Sequence, residues 1–151
     1  MQHRREWAFA LVMSAAHGAQ HFFSRLVPPL IPILLVALER PLWQLGLLVT
    51  VFELASGFTQ APVGELADRY DRRYVLAPGI GVLAAGYVLF GLAPTVGAGL
   101  PSASILGSTF DGTYLVMLVA MVVGGAGASV THPTGYPLIS ANVGEARKGR
   151  A

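Results

Sequence analysis

The sequence predicts an all-α polytopic membrane protein with four spanning helices. Charge is scarce, the charges that exist bracket four long apolar stretches, and the basic residues gather at one end of those stretches. Charged residues make up 12% of the chain and hydrophobic residues 54%, against a charged share of about 25% in ordinary soluble domains. Ten basic and eight acidic residues in 151 cannot clothe a water-soluble surface of that size. The 18 glycines and 10 prolines would weaken soluble helices, but spanning helices tolerate both because neighbouring segments re-satisfy the freed backbone groups. The net charge of +2 is too small and too dispersed to suggest a nucleic-acid partner. The absence of cysteine excludes disulfides, thiol chemistry and cysteine-held metal.

The first apolar stretch covers residues 7–38, with Arg25 as its one charge; the second covers 43–67, with Glu53 and Glu65 inside it. The third, 74–93, and the fourth, 113–142, carry no charge. Each reaches the roughly 20 residues needed to cross a bilayer. Pro28, Pro29 and Pro32 in the first and Pro133 and Pro137 in the fourth predict kinks, tilt or frayed ends there. Between the third and fourth, the glycine-, serine- and proline-rich run Pro94 to Gly112 reads as an exposed loop. Arg4 and Arg5 with the apolar run Ala8 to Ala16 imitate a signal peptide, but hydrophobicity continues to Leu38, past any cleavage point, so the segment is read as a retained span. Arg4, Arg5, Arg69, Arg72, Arg73, Arg147, Lys148 and Arg150 fall on one side of the four spans and Arg40 on the other. The positive-inside rule then places both termini in the cytoplasm, in a cell membrane crossed several times.

Ionisable groups inside a span cost about 2.5–3.5 kcal/mol each on insertion scales, so each calls for a reason. His17, His21 and Arg25 recur every four residues, with Gln20 and Ser24 beside them, and so share one face of the first helix. Thr50, Glu53, Gly57, Gln60 and Gly64 share a side of the second, and Gly124, Ala128, Thr131, His132 and Gly135 a side of the fourth. The third span has glycines but no polar stripe and is expected at the periphery. His17, Gln20, His21, Arg25, Glu53, Gln60 and His132 are therefore the candidates for a substrate and proton path lined by three spans. The bland readings are explicit. Gly124 to Ser129 serves close helix packing, Thr50, Ser56 and Thr59 bond their own backbone, and Glu65 snorkels to the interface or belongs to the loop that follows. His17 and His21 have the spacing of a helical metal pair, but Gly18-Ala19-Gln20 between them lacks the glutamate of a zinc-protease helix, and Arg25 repels a cation. No metal or cofactor is expected.

Gly64-Glu65-Leu66-Ala67-Asp68-Arg69-Tyr70-Asp71-Arg72-Arg73 joins the second and third spans. It resembles the signature loop of the major facilitator superfamily, matching at Gly64, Leu66, Ala67, Asp68, Arg69, Arg72 and Arg73 and departing at Asp71, where the family usually has glycine. The His17/His21 stripe followed by Pro28-Pro29-Leu30-Ile31-Pro32, with Gly125-x-Gly127 and His132-Pro133, resembles the fosmidomycin-resistance branch of that superfamily. The resemblance implies a twelve-helix transporter built from inverted three-span repeats, of which residues 1–151 supply the first four helices, one repeat and the start of the next. The remainder of the transporter is then a missing partner, beside protons, membrane lipid and a small-molecule substrate. Gly64, Asp68, Arg69, Arg72 and Arg73 become gating residues that hold the two halves together on the cytoplasmic side. Apart from the family, Asp68 is also able to accept bonds from N–H groups at a helix start, with the arginines pairing to it.

In inverted repeats the first and fourth spans are equivalent. Counting about 1.5 Å per residue, His17 lies ~13 Å in from Ala8 and His132 ~15 Å in from Asn142, so the histidines reach similar depth and are expected to line one cavity. The function expected is proton-coupled export or exchange of a small molecule, not catalysis. Two other classes compete: a small four-helix scaffold or oligomeric pore, and a membrane enzyme using its histidines on a metal.

Overall fold

The computed structural model describes residues 2–105 and 107–142, without the side chains of residues 2–5. The side chains of Arg4 and Arg5, and all of Arg147, Lys148 and Arg150, lie outside the described residues. In chain order the elements are α1 (Gln2–Ser24), α2 (Val27–Leu38), α3 (Leu42–Arg69), α4 (Arg72–Gly97), β1 (Ala103–Ile105), β2 (Ser108–Phe110), α5 (Gly112–Ala128) and α6 (Thr131–Asn142). By length and composition Glu6–Leu38, Leu42–Arg69, Arg72–Gly97 and Gly112–Asn142 suffice to cross a membrane. The first and last of these are each made of two helices in series.

Proline chemistry explains both interruptions. Pro28 and Pro29 have no N–H to give the carbonyls of Ser24 and Arg25, so the α1 ladder stops at Ser24, and the two prolines occupy the first turn of α2, where the missing donors are not needed. Around the break, the Arg25 N–H still reaches the His21 carbonyl at 3.0 Å, and the Leu26 N–H tightens onto the Phe23 carbonyl at 3.0 Å. In the fourth span Pro133 likewise withholds a donor from Ser129, and α5 gives way to α6 across Ser129 and Val130.

The run from Pro94 corrects the expectation of a plain loop. Residues 94–97 continue α4, and 103–110 form a two-stranded antiparallel hairpin in which Ala103 pairs with Phe110 and Ile105 with Ser108. Gly107, with φ at 76°, takes the left-handed position in its turn. Asp111 then starts α5, its Oδ1 accepting the Tyr114 N–H at 2.9 Å, and its other oxygen pairs with Arg40 from the α2–α3 link. The connections between α2 and α3 and between α4 and α5 thus meet at one end of the bundle; the Tyr70–Asp71 turn occupies the other.

The third span has one exposed face, as a peripheral helix does, and one closely packed face. Along its length α4 packs on α5, burying Val75, Gly79, Leu83, Gly86 and Ala93. Van der Waals packing, rather than hydrophobic transfer, is the main source of attraction between helices in lipid, and here it depends on missing side chains. A Cβ on Gly86 would overlap the Gly124 backbone, and one on Gly127 would overlap the Leu83 backbone. The glycine stripe of the fourth span is therefore a packing surface. Against this pair α3 lays Leu45, Leu48 and Phe52, which join Leu83, Tyr114, Met117 and Met121 in a continuous core. The Tyr114 hydroxyl donates to the Gln44 carbonyl at 2.7 Å.

Candidate functional site

Six of the seven polar span residues singled out above meet around one cavity. Gln20, His21, Ser24 and Arg25 come from the first span, Phe52, Glu53, Ser56 and Gln60 from α3, and Ala128 and His132 from the fourth; together they line a space of about 160 Å³. His17 stands beside it, its ring centroid 4.4 Å from that of His21 and 5.8 Å from that of His132. His21 and His132 are 5.9 Å apart, so three imidazoles from two helices form a mutual cluster. Tyr136 stacks on His132 at 6.0 Å. The four-residue spacing on α1 brings His17 and His21 together, and the break before α6 turns His132 towards them.

The break at Arg25 also sets the electrostatics. Arg25 Nη1 lies 2.7 Å from Glu53 Oε1, and both side chains are largely exposed to the open cavity. A lone charge at that depth would be costly; as a pair they are neutral. Gln20, nine-tenths buried, bridges the wall: its Nε2 donates to Ser24 Oγ at 3.0 Å and to the Ala128 carbonyl at 3.4 Å. The carbonyl fixes the amide orientation, since the flipped amide would set oxygen against oxygen.

Some expected members are elsewhere. Thr131 and Gly135 are buried in helix packing, because the α5–α6 break changes the face that the fourth span presents. Gly64 lies next to Pro133 of α6, with room for only an ordinary contact. Thr50 and Thr59 bond the Gly46 and Ala55 carbonyls of their own helix at 3.0 and 2.6 Å, as the bland reading holds. Ser56 instead lines the cavity. The residue that sequence reasoning missed is Tyr87, on the span thought to be peripheral. Its hydroxyl donates to the Phe23 carbonyl at the α1–α2 break, and its ring packs near Phe23 and Phe52, at 6.1 and 6.3 Å. One tyrosine in an apolar stretch gives no periodic signal. Among the described residues no group of three histidine, cysteine or acidic side chains converges to hold a metal ion.

At the turn between α3 and α4, Asp68 pairs with Arg72 at 3.4 Å and Glu65 with Arg69. The helix start is capped by Asp71, not by Asp68: the Arg73 N–H reaches Asp71 Oδ1 at 3.0 Å. Its φ of −59° needs no glycine. Asp71 therefore replaces the expected glycine with a cap.

An all-α, four-span membrane protein with an ion pair and two histidines turned to one polar cavity, and a third beside it, is the class this geometry defines. The sequence model of the Major Facilitator Superfamily matches residues 13–151, and the chain belongs to that superfamily, a family of membrane transporters rather than enzymes. Over 96 residues it is 29% identical to the fosmidomycin resistance protein of Escherichia coli (strain K12), a stretch covering 64% of this chain and 24% of that protein. The chain spans about a quarter of the length of that relative. No solved structure matches it.

Proposed function

We propose that these helices line the substrate and proton path of a proton-coupled exporter or exchanger of small molecules. The observation that carries this is the meeting of Gln20, His21, Arg25, Glu53, Gln60 and His132, from three spans, around one cavity. Arg25 offers a planar guanidinium suited to an anionic group on the substrate. His17 and His21 carry coupling protons, because histidine is the side chain that ordinarily titrates near physiological pH, with Glu53 as the alternative carrier. The turn end of the bundle, with Arg69, Arg72 and Arg73 against Arg40 alone at the hairpin end among the described residues, faces the cytoplasm by the positive-inside rule. Both termini lie on that side. Gly64, Asp68, Arg69, Arg72 and Arg73 form the cytoplasmic gate, and the helices that complete a transporter of this superfamily close the cavity's open side.

The resistance named for the relative makes fosmidomycin the first substrate to test. In proteoliposomes containing the full-length protein, an imposed pH gradient drives fosmidomycin uptake or efflux, and His21→Ala abolishes the gradient-driven part. Transport unchanged in that variant removes His21 from coupling; no pH-driven transport of fosmidomycin in the native protein defeats that substrate assignment.

A further inference from the structure

We propose that His17, His21 and His132 form a site that holds one proton, and that binding of a second parts α1 from α6. The inference rests on the reading of the cavity as a proton path and adds the number of protons and the contact they control.

The imidazole centroids are 4.4, 5.8 and 5.9 Å apart. One added proton is stabilised by the two neutral rings beside it. A second places two positive charges within about 6 Å, where coupled groups titrate in separate steps rather than together. Among the described residues of α3 to α6, every acidic side chain is already paired with an arginine. Glu53 on α3 is already held by Arg25, and that pair is neutral. Glu65, further along α3, is held by Arg69 at the turn end. Tyr136 on α6 and Tyr87 on α4 are the neighbouring phenols. Arg25, one turn beyond His21, is the partner that neutralises Glu53, and the residue that α5 contributes to the cavity wall is Ala128. Repulsion within the cluster therefore acts uncompensated.

It acts at the place where α1 is attached. α1 packs more extensively on α6 than on α5, and two of the three imidazoles lie on α1 and the third on α6. Among the described polar ties are the Gln20 amide to the Ala128 carbonyl, the Phe23 carbonyl to Tyr87, and Arg25 to Glu53. The first lies nearest the cluster, and at 3.4 Å it is long. The other two hold the far end of α1, at the break. The movement expected is a swing of α1 about Ser24–Leu26, with the histidine-bearing part leaving α6.

The chain has no cysteine, so spin labels can be placed freely. One nitroxide pair, at Leu11→Cys on α1 and Ser140→Cys on α6, reports the moving contact. A reference pair, at Val88→Cys on α4 and Val119→Cys on α5, reports the packed block; Leu11, Val88 and Val119 are exposed, as is Ser140. In the full-length protein in nanodiscs, pulsed EPR shows a longer 11–140 distance at pH 5 than at pH 8, while the 88–119 distance is unchanged. ¹⁵N imidazole NMR of the same protein shows the first proton of the cluster binding at least about one pH unit above the second. His132→Asn removes the third ring and with it the pH-dependent lengthening; the 88–119 distance verifies that the variant is folded, and His21→Gln serves as a second variant. An 11–140 distance that is constant from pH 8 to pH 5, or three imidazoles titrating together, overturns the proposal. Failure of the transport assay with the stepwise titration and lengthening intact would count against the export reading and for this one. Normal transport with a constant distance would do the reverse.

Discussion

The first and fourth spans are equivalent in the repeat plan of the superfamily, yet they are held in opposite ways. In the most apolar stretch of the fourth, 61% of residues are buried within the chain; in that of the first the share is 6%. α5 meets α4 backbone to backbone at Gly86–Gly124 and Gly127–Leu83, contacts that have no intermediate distance: the helices either fit or do not. α1 meets its neighbours through apolar side chains such as Phe23 beside Tyr87 and through imidazoles, an amide, a carbonyl and an ion pair, and these polar groups can exchange a protein partner for water, a proton or a ligand. The difference separates a frame from a moving part. Close packing fixes α3, α4 and α5 as one block, while polar ties leave α1 attached but releasable.

The comparison breaks most readily at the glycines. Gly86→Leu forces a side chain into the Gly124 backbone and should destabilise the protein by about 3 kcal/mol or more, read as a lowered midpoint in denaturant titration in detergent micelles. Gly18→Ala on α1, where an added Cβ meets nothing within 4 Å, should leave the midpoint unchanged or raise it by up to about 1 kcal/mol. Equal effects at the two positions would remove the distinction between frame and moving part.

Next in size is the clamp at the hairpin end. Asp111 both caps α5 and pairs with Arg40, whose side chain is 17% exposed and lies 5.7 Å over the Tyr114 ring. Asp111→Ala should lose about 2 kcal/mol, of which the cap accounts for about half. Arg25→Gln, by contrast, opens an ion pair whose partners are 64% and 43% exposed; Glu53 can take cavity water or a proton in place of Arg25, so the stability loss should stay under about 1 kcal/mol. If the cavity is the transport path, that same substitution should abolish substrate transport in proteoliposomes while the melting temperature moves little. A large stability loss with transport retained would make Arg25 a structural tie and blur the contrast drawn here.

What the sequence disclosed, and what it hid, follows the same division. The polar stripes on the first and second spans were legible because a charge in lipid needs a reason, and helical spacing alone stacks His17, His21 and Arg25. The family could be read from Gly64 to Arg73 because that turn combines rare residue types in a fixed order. The breaks at Arg25 and Ser129 were foreseeable only as prolines with some consequence, since proline removes a donor without specifying whether a helix bends or ends. Tyr87 was invisible: its role comes from a carbonyl more than sixty residues away, at a break in another helix. The hairpin was hidden because Gly107 and the residues around it have loop composition, and a strand of three residues has no period to read. The place of α4 in the block was not legible because a span with no polar stripe gives no sign of how tightly it packs.

The smallest effect tests the turn, where this chain departs from the family pattern. Asp71 caps α4 through the Arg73 N–H, and its backbone, at φ −59° and ψ 122°, is open to any residue. Restoring the family glycine, Asp71→Gly, should therefore cost only a few tenths of a kcal/mol, because glycine is itself a tolerated cap, whereas Asp71→Ala should cost about 1 kcal/mol. The order of the two midpoints in a denaturant titration checks this. Were glycine the worse of the two, the Asp71 carboxylate would have to act on the arginines of the turn rather than on the helix start. Salt distinguishes these cases: a local N-cap bond is weakly sensitive to ionic strength, whereas attraction to Arg72 and Arg73 across an exposed turn fades within a Debye length of about 10 Å at 0.1 M salt. A penalty for Asp71→Ala that persists in high salt assigns the residue to the helix start, and so explains why a position usually given to glycine can hold an acid without disturbing the turn around it.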